Sequence, residues 1–174
     1  HEGVAGPSLG VGMVAGQYMG TMSSRKPLAG KKQHQHLDRR SLLRRIRVKL
    51  IIQIPCYNEE QTLPRTLADL PREVEGFEVV EWLIIDDGST DDTVRVAREH
   101  GVDHVVSLSG HQGLAKGFMA GLKACHKLGA DVIVNTDGDN QYDGSCIPEL
   151  VHPILEGKAE IVVGARPIES IAHF

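Results

Sequence analysis

The chain has 174 residues, 41% of them hydrophobic and 24% charged, a balance that suits one soluble globular domain with its own core. Its net charge of −4 hides an asymmetry, because residues 1–50 carry ten Lys/Arg against two acids and the remainder nine against twenty-one. An acidic body excludes a nucleic-acid reader, which needs positive charge spread over its folded surface, and fits a divalent metal or a metal-masked substrate.

Residues 1–37 are rich in Gly, Ser, Lys, Gln and His without a sustained period, which predicts disorder, and residues 1–21 carry no functional weight. His34 and His36 lack the Cys or acid partners of a zinc site. In residues 38–49, Leu42, Leu43 and Ile46 are interleaved with Arg39, Arg40, Arg44, Arg45 and Arg47. That pattern suits either contact with an anionic membrane surface or a solvated basic helix or linker. The reading divides the chain into a basic leader over residues 1–47 and a folded domain over residues 48–174.

From residue 48 strands and helices alternate. Residues 48–54 form an apolar, β-branched run, followed by Leu63, Leu67 and Leu70 at helical spacing. Residues 81–85 predict the next strand, then a helix through Val94, Ala97 and His100 capped by Ser89 or Thr90. Residues 104–108 predict a short strand, and residues 113–128 a helix with Leu114, Phe118, Leu122, Cys125 and Leu128 on one apolar face. Residues 132–134 predict a buried strand. Ser145 then caps a helix with Pro148 in its first turn and Ile147, Leu150, Val151 and Ile154 inward, before a last strand at residues 161–163. Such repeats with near-continuous apolar strands predict a mostly parallel sheet with helices on both faces. Cys56, Cys125 and Cys146 form no Cys-x-x-Cys pair, which reads as a reducing, cytoplasmic setting. No run nears the roughly 18 apolar residues of a membrane helix, and the glycine-rich start is no signal peptide.

Three polar motifs end three of these strands, where open parallel sheets bind ligands. Asp137-Gly138-Asp139 with Gln141 offers hard oxygen donors suited to Mg²⁺ or Mn²⁺ shared with phosphates; taken alone it reads equally as a turn. Asp86-Asp87-Gly88-Ser89 offers a carboxylate to a base N–H or ribose hydroxyl, and also simple helix capping. Pro55-Cys56-Tyr57-Asn58-Glu59 offers a ring for a nucleobase to stack on, with Asn58 and Glu59 to hydrogen-bond it, or a half-buried tyrosine and helix-start acids. Lys116, at the start of the 113–128 helix, suits a diphosphate or a solvated surface; His111 carries the same ambiguity, with loop packing preferred.

Taken in order and spacing, residues 54–59, 85–93, 113–117 and 136–141 resemble the family 2 glycosyltransferases over about residues 48–168. Gly164-Ala165-Arg166-Pro167 is most similar to the branch of dolichol-phosphate mannose and polyprenyl-phosphate sugar synthases. The resemblance implies a GT-A fold and an inverting, metal-dependent transfer from a UDP- or GDP-linked sugar to a polyprenyl phosphate or a glycan, as in cell-envelope glycan synthesis. It implies that Pro55, Tyr57, Glu59 and Asp87 hold the nucleotide of the sugar donor; together with the motif readings above, Asn58, Asp86, Lys116 and Asp137 complete the expected nucleotide-sugar site. Asp137, Asp139 and Gln141 would hold Mg²⁺ or Mn²⁺, with Asp139 catalytic, and Arg166 would meet an acceptor phosphate. It further implies a cytoplasmic enzyme, in contact with the cytoplasmic face of a membrane if the acceptor is a lipid. Family members continue past the point matching Phe174, so the chain reads as the donor half, with the general base beyond Phe174. Two other readings compete. A sugar-phosphate nucleotidyltransferase expects a glycine-rich loop after the first strand, where this chain has no glycine until Gly76. A non-catalytic nucleotide-binding remnant expects binding without turnover.

Overall fold

The computed structural model describes residues 12–16 and 48–165. Strand β1 spans Gly12–Gly16 and β2 Lys49–Cys56, followed by helix α1, Leu63–Asp69. Then come β3, Val79–Asp86; α2, Thr93–Glu99; β4, His104–Ser107; and α3, Leu114–Lys127. The chain continues with β5, Val132–Asn135, a 3₁₀ turn at Gly144–Cys146, α4, Ile147–Leu155, and β6, Ile161–Gly164. The six strands form one sheet in the order β4-β3-β2-β5-β1-β6. The four strands from β4 to β5 are mutually parallel, as the strand–helix alternation requires.

Strand β1 is the departure. It lies in the stretch read as without order, yet pairs antiparallel with both β5 and β6. A five-residue Gly-Met-Val-Ala-Gly segment shows no usable period, and its partners lie more than a hundred residues away, so local pattern carries no trace of the pairing. The remaining leader residues, including the arginine-rich stretch through Arg47, fall outside the described residues. Because β6 is antiparallel to β1, it runs in the same direction as β5, and its Gly164 end opens where β5 ends.

Alternation along the inner strands explains the two-faced core. Leu50, Ile52 and Ile54 of β2, with Trp82 and Ile84 of β3, bury against Leu63 and Leu67 of α1, Val96 and Ala97 of α2, and Ile147, Val151 and Ile154 of α4. Ile51, Leu83 and Ile85 point to the other face, against Cys125 of α3. At about 25 cal/mol per Å² of apolar surface, each fully buried Leu or Ile here contributes roughly 1.5–3 kcal/mol before entropy is counted.

The packing face of α3 keeps Cys125 and Leu128 of the predicted face and otherwise differs. Leu114 is 68% exposed, and the residues against the sheet are Gly117, Gly121 and Cys125, flanked by Ala120, Ala124 and Leu128. A Cβ on Gly121 would strike the side-chain amide of the fully buried Gln53, so the small residues set the close approach of helix and sheet. That amide donates to Asn135 Oδ1 at 2.9 Å, which satisfies the polar group. The caps also differ. The N-cap position of α2 is Asp92, not Ser89 or Thr90, and Asp91 just before it receives the Thr93 N–H at 3.0 Å; Asp143 accepts from Ser145 N at 2.9 Å to start the 3₁₀ turn that precedes α4. A carboxylate outcompetes a hydroxyl as acceptor at a helix start. At the sheet edge, Ile161 and Val163 of β6 are 59% and 52% exposed, so this strand is not sandwiched as the apolar run suggested.

Candidate functional site

The sheet register brings the strand tips to one end of the molecule. Cys56 of β2 lies level with Asp86 of β3, Asp86 level with Ser107 of β4, and Gln53 of β2 level with Asn135 of β5. Cross-links between the loops then hold the motifs together. Asp87 N–H donates to Cys56 O at 2.9 Å, Thr136 N–H to Gln53 O at 3.1 Å, and Thr66 Oγ1 of α1 to Gly138 O at 2.8 Å. A Cβ on Gly138 would lie 2.8 Å from Cys56 Sγ and 3.5 Å from Pro55 O. The loop carrying Asp137 and Asp139 therefore rests on the tip of β2, and only glycine permits that distance.

This closeness concentrates negative charge. Burial pushes the Glu59 carboxyl above its usual range; a hydrogen bond from Thr62 opposes the rise, and Asp139, Asp91 and Asp137 add to it. The buried Cys56 thiol is driven far up by burial and then by Glu59, Asp86, Asp137 and Asp91, so it is inert and no nucleophile. Carboxylates from three loops thus act on the same few side chains, an arrangement that a divalent cation would relieve. Among the described residues, no three His, Cys, Asp or Glu side chains form a complete metal cage. Two carboxylates with the remaining ligands from water and substrate phosphates is the ligand set that Mg²⁺ and Mn²⁺ take. Asp139 accepts from Gln141 N–H at 3.1 Å, which turns the chain after the motif and leaves the Gln141 residue exposed beside it.

Other residues of the strand-tip motifs are engaged in joining loops. Asn58 adopts a left-handed φ of 57° and its Oδ1 accepts from Thr90 N at 2.8 Å, while its own N–H donates to Ser89 Oγ at 3.0 Å. Glu59 N–H donates to Thr93 Oγ1 at 2.8 Å, and Asp92 N–H donates to Glu60 Oε2 at 3.0 Å. The buried Asp86 accepts from Ser89 N–H at 2.9 Å. These bonds tie residues 58–60 to residues 86–93 as one rigid wall.

Asp87 is only 5% exposed and builds a further loop. Its two oxygens accept from Gln112 N–H and Gly113 N–H, each at 2.8 Å, and one also meets His111 Nδ1 at 2.9 Å. His111 in turn lies against Tyr57, with ring centroids 4.0 Å apart and planes inclined by 34°. Gly88 makes this possible: it has φ +77°, and a Cβ there would sit 2.5 Å from the backbone of Gly110. Sequence reading preferred loop packing for His111, and the structure packs it between Asp87 and Tyr57 in a loop that a buried acid pins. Tyr57 is 41% exposed, and Lys116 is exposed in the first turn of α3 with no ion pair to a described residue. Pro55 is half-buried at the end of β2, with its carbonyl against Gly138. Arg166 lies outside the described residues. On the far side of the β5 tip, a cavity of about 690 Å³ is lined by Asn135, Gln141, Tyr142, Leu150, Val162 and Gly164 among others.

Comparison with known proteins decides what this arrangement belongs to. The family model described as glycosyl transferase family 2 matches residues 51–172, a span that contains every motif of the cleft. The chain belongs to glycosyl transferase family 2. As a family 2 chain it is 31% identical over 126 residues to the undecaprenyl-phosphate mannosyltransferase of Micrococcus luteus, covering 70% of this chain and 49% of that protein. It is 29% identical over 114 residues to Protein RfbJ of Shigella flexneri, covering 65% and 81%. Among solved structures, glucosyl-3-phosphoglycerate synthase of Mycobacterium tuberculosis, in complex with Mn²⁺, UDP-glucose and phosphoglyceric acid, superposes with a TM-score of 0.51 at 26% identity. That match covers 64% of this chain and 40% of the synthase. The family 2 chain therefore spans about half the length or less of the mannosyltransferase and of the synthase, and shares the GT-A-like α/β core of the synthase. No helix among the described residues is long and apolar enough to cross a membrane.

Proposed function

We propose that this chain carries the donor site of a metal-dependent, inverting glycosyltransferase that takes a sugar from a nucleoside diphosphate carrier. The observation that carries the reading is the contact of Gly138 with the β2 tip, which sets Asp137 and Asp139 among the acids that also surround Cys56 and Glu59. Asp137, Asp139 and Gln141 are the residues to hold Mg²⁺ or Mn²⁺, and a cation there supplies positive charge against the departing diphosphate. Support comes from the synthase solved with Mn²⁺ and UDP-glucose. Tyr57 stacks the base at the rim of the rigid 58–60 and 86–93 wall, and Lys116 neutralises phosphate charge at the start of α3. The acceptor oxygen attacks the anomeric carbon opposite the departing diphosphate, so configuration inverts. We assign the acceptor to the cavity beside Gln141 and Leu150, and its apolar lining with the mannosyltransferase likeness favours a polyprenyl phosphate over a glycan. A phosphate oxygen is already ionised, so that acceptor needs no base.

Calorimetric titration of the chain with UDP and GDP, in Mn²⁺ and again in a chelator, tests the donor site. Binding of at least one diphosphate in the micromolar range that weakens tenfold or more on chelation is the expected result. Equal heats with and without metal, or pyrophosphate release from a nucleoside triphosphate and a sugar phosphate, would contradict it.

A further inference from the structure

We infer that helix α1 is the seat of the metal-binding loop, and that Thr66 on α1 and Asn140 in the loop are positioning residues that fix the spacing of the cation ligands before a cation arrives. The inference rests on the donor-site reading above. The ligands assigned there, Asp137, Asp139 and Gln141, are alternate residues, and each residue between them is fastened to α1. Gly138 is held through its carbonyl, which accepts from Thr66 Oγ1 at 2.8 Å. Asn140 is held through its side chain: in the amide orientation that satisfies both neighbours, it donates to Asp69 Oδ2 at 3.0 Å and accepts from Arg65 Nε at 2.9 Å. The same stretch meets the loop again further on, since a Cβ on Gly144 would strike the Asp69 carbonyl and lie 3.2 Å from Leu70 Cα. Residues 138–144 are thus anchored to residues 65–70 at both ends and in between.

The seat does more than close a turn. Thr66 is 3% exposed, and its bond to Thr62 O is long at 3.4 Å, so the strong bond of its hydroxyl is the one to the loop. Asn140 takes a left-handed φ of 59°, and its bonds to Arg65 and Asp69 hold it there. A cation with few protein ligands gains affinity when the loop that carries them is ordered beforehand, because binding then costs little conformational entropy. Removing a group that orients metal ligands from behind weakens metal binding by about tenfold to a hundredfold.

The experiment measures free Mn²⁺ by electron paramagnetic resonance as the chain is titrated at saturating UDP or GDP, with diphosphate binding in chelator and thermal melts taken alongside. Wild type is compared with Thr66→Val, Thr66→Ser and Asn140→Gly. Valine keeps the shape of threonine without the donor, serine keeps the donor, and glycine accepts φ 59° while losing both side-chain bonds. Thr66→Val and Asn140→Gly are each expected to weaken Mn²⁺ binding about tenfold to a hundredfold, and Thr66→Ser to stay within about threefold of wild type. Diphosphate binding in chelator is expected to be the same in all of them. A group that only stabilised the fold would lower the melting temperature and leave the Mn²⁺ affinity of the folded chain as it was. If Thr66→Val does not fold, Asn140→Gly, which alters a half-buried loop contact, decides alone. Mn²⁺ affinity unchanged in either folded variant would overturn the assignment, as would Thr66→Ser binding Mn²⁺ as weakly as Thr66→Val, or an equal loss of diphosphate binding in chelator. Absence of metal-dependent diphosphate binding by wild type would instead remove the donor-site reading, and this inference with it.

Discussion

Asp139→Asn is expected to abolish metal-dependent nucleotide binding while leaving the fold intact. The isosteric amide keeps a carbonyl oxygen able to accept from Gln141 N–H, the bond that shapes the turn, so the local backbone has no reason to change. What disappears is one of the two charges offered by the Asp-Gly-Asp motif, in a site where Mg²⁺ or Mn²⁺ has few protein ligands. The loss in diphosphate affinity in Mn²⁺ is expected to be on the order of 100-fold, about 3 kcal/mol at 1.4 kcal/mol per decade. In chelator the variant and wild type are expected to bind alike, because what remains there is stacking and phosphate contact. Comparable affinity of the variant in Mn²⁺ would show that Asp139 is a turn residue and no more, the reading its sequence context alone allows.

Gly88→Ala is expected to destabilise the protein strongly. Two costs combine. A non-glycine residue at φ +77° costs about 1–2 kcal/mol, and forcing apart two backbones that a Cβ would bring to 2.5 Å adds about 1–3 kcal/mol. A total of about 3 kcal/mol corresponds to a fall in Tm of roughly 10 °C for a chain of this size. Gly129→Ala is the control, since Gly129 has φ +76° but nothing within 4 Å of a Cβ, so only the conformational cost of about 1–2 kcal/mol applies. A thermal melt in which the two variants fall equally would show that the approach of the 88 and 110 loops contributes no stability.

The parallel core was legible because its evidence is local. Buried β-branched runs and leucines at helical spacing follow from side-chain geometry within a few residues of sequence. The strand-tip positions of the three acidic motifs followed from the same alternation. What escaped depended on distant partners or on small residues. Strand β1 joins segments more than a hundred residues away, and α3 packs through glycines that carry no hydrophobic signal. The clip between Asn58 and Thr90, the saturation of Asp87 by residues 111–113, and the contact of His111 with Tyr57 each join loops about 25 to 54 residues apart. Residue type narrowed each of these to a short set of chemistries, and only the register of the sheet chose among them.

The most direct test of a single pocket is the broadening of backbone amide resonances by Mn²⁺ bound together with UDP or GDP, measured against the same complex with Mg²⁺. Signals of residues 57–60, 87–89, 111–113 and 137–141 are expected to weaken together, while those at the opposite ends of the strands, such as Val79 and Val132, persist. Broadening confined to residues 137–141, or spread without relation to the strand tips, would contradict a shared cation and nucleotide site.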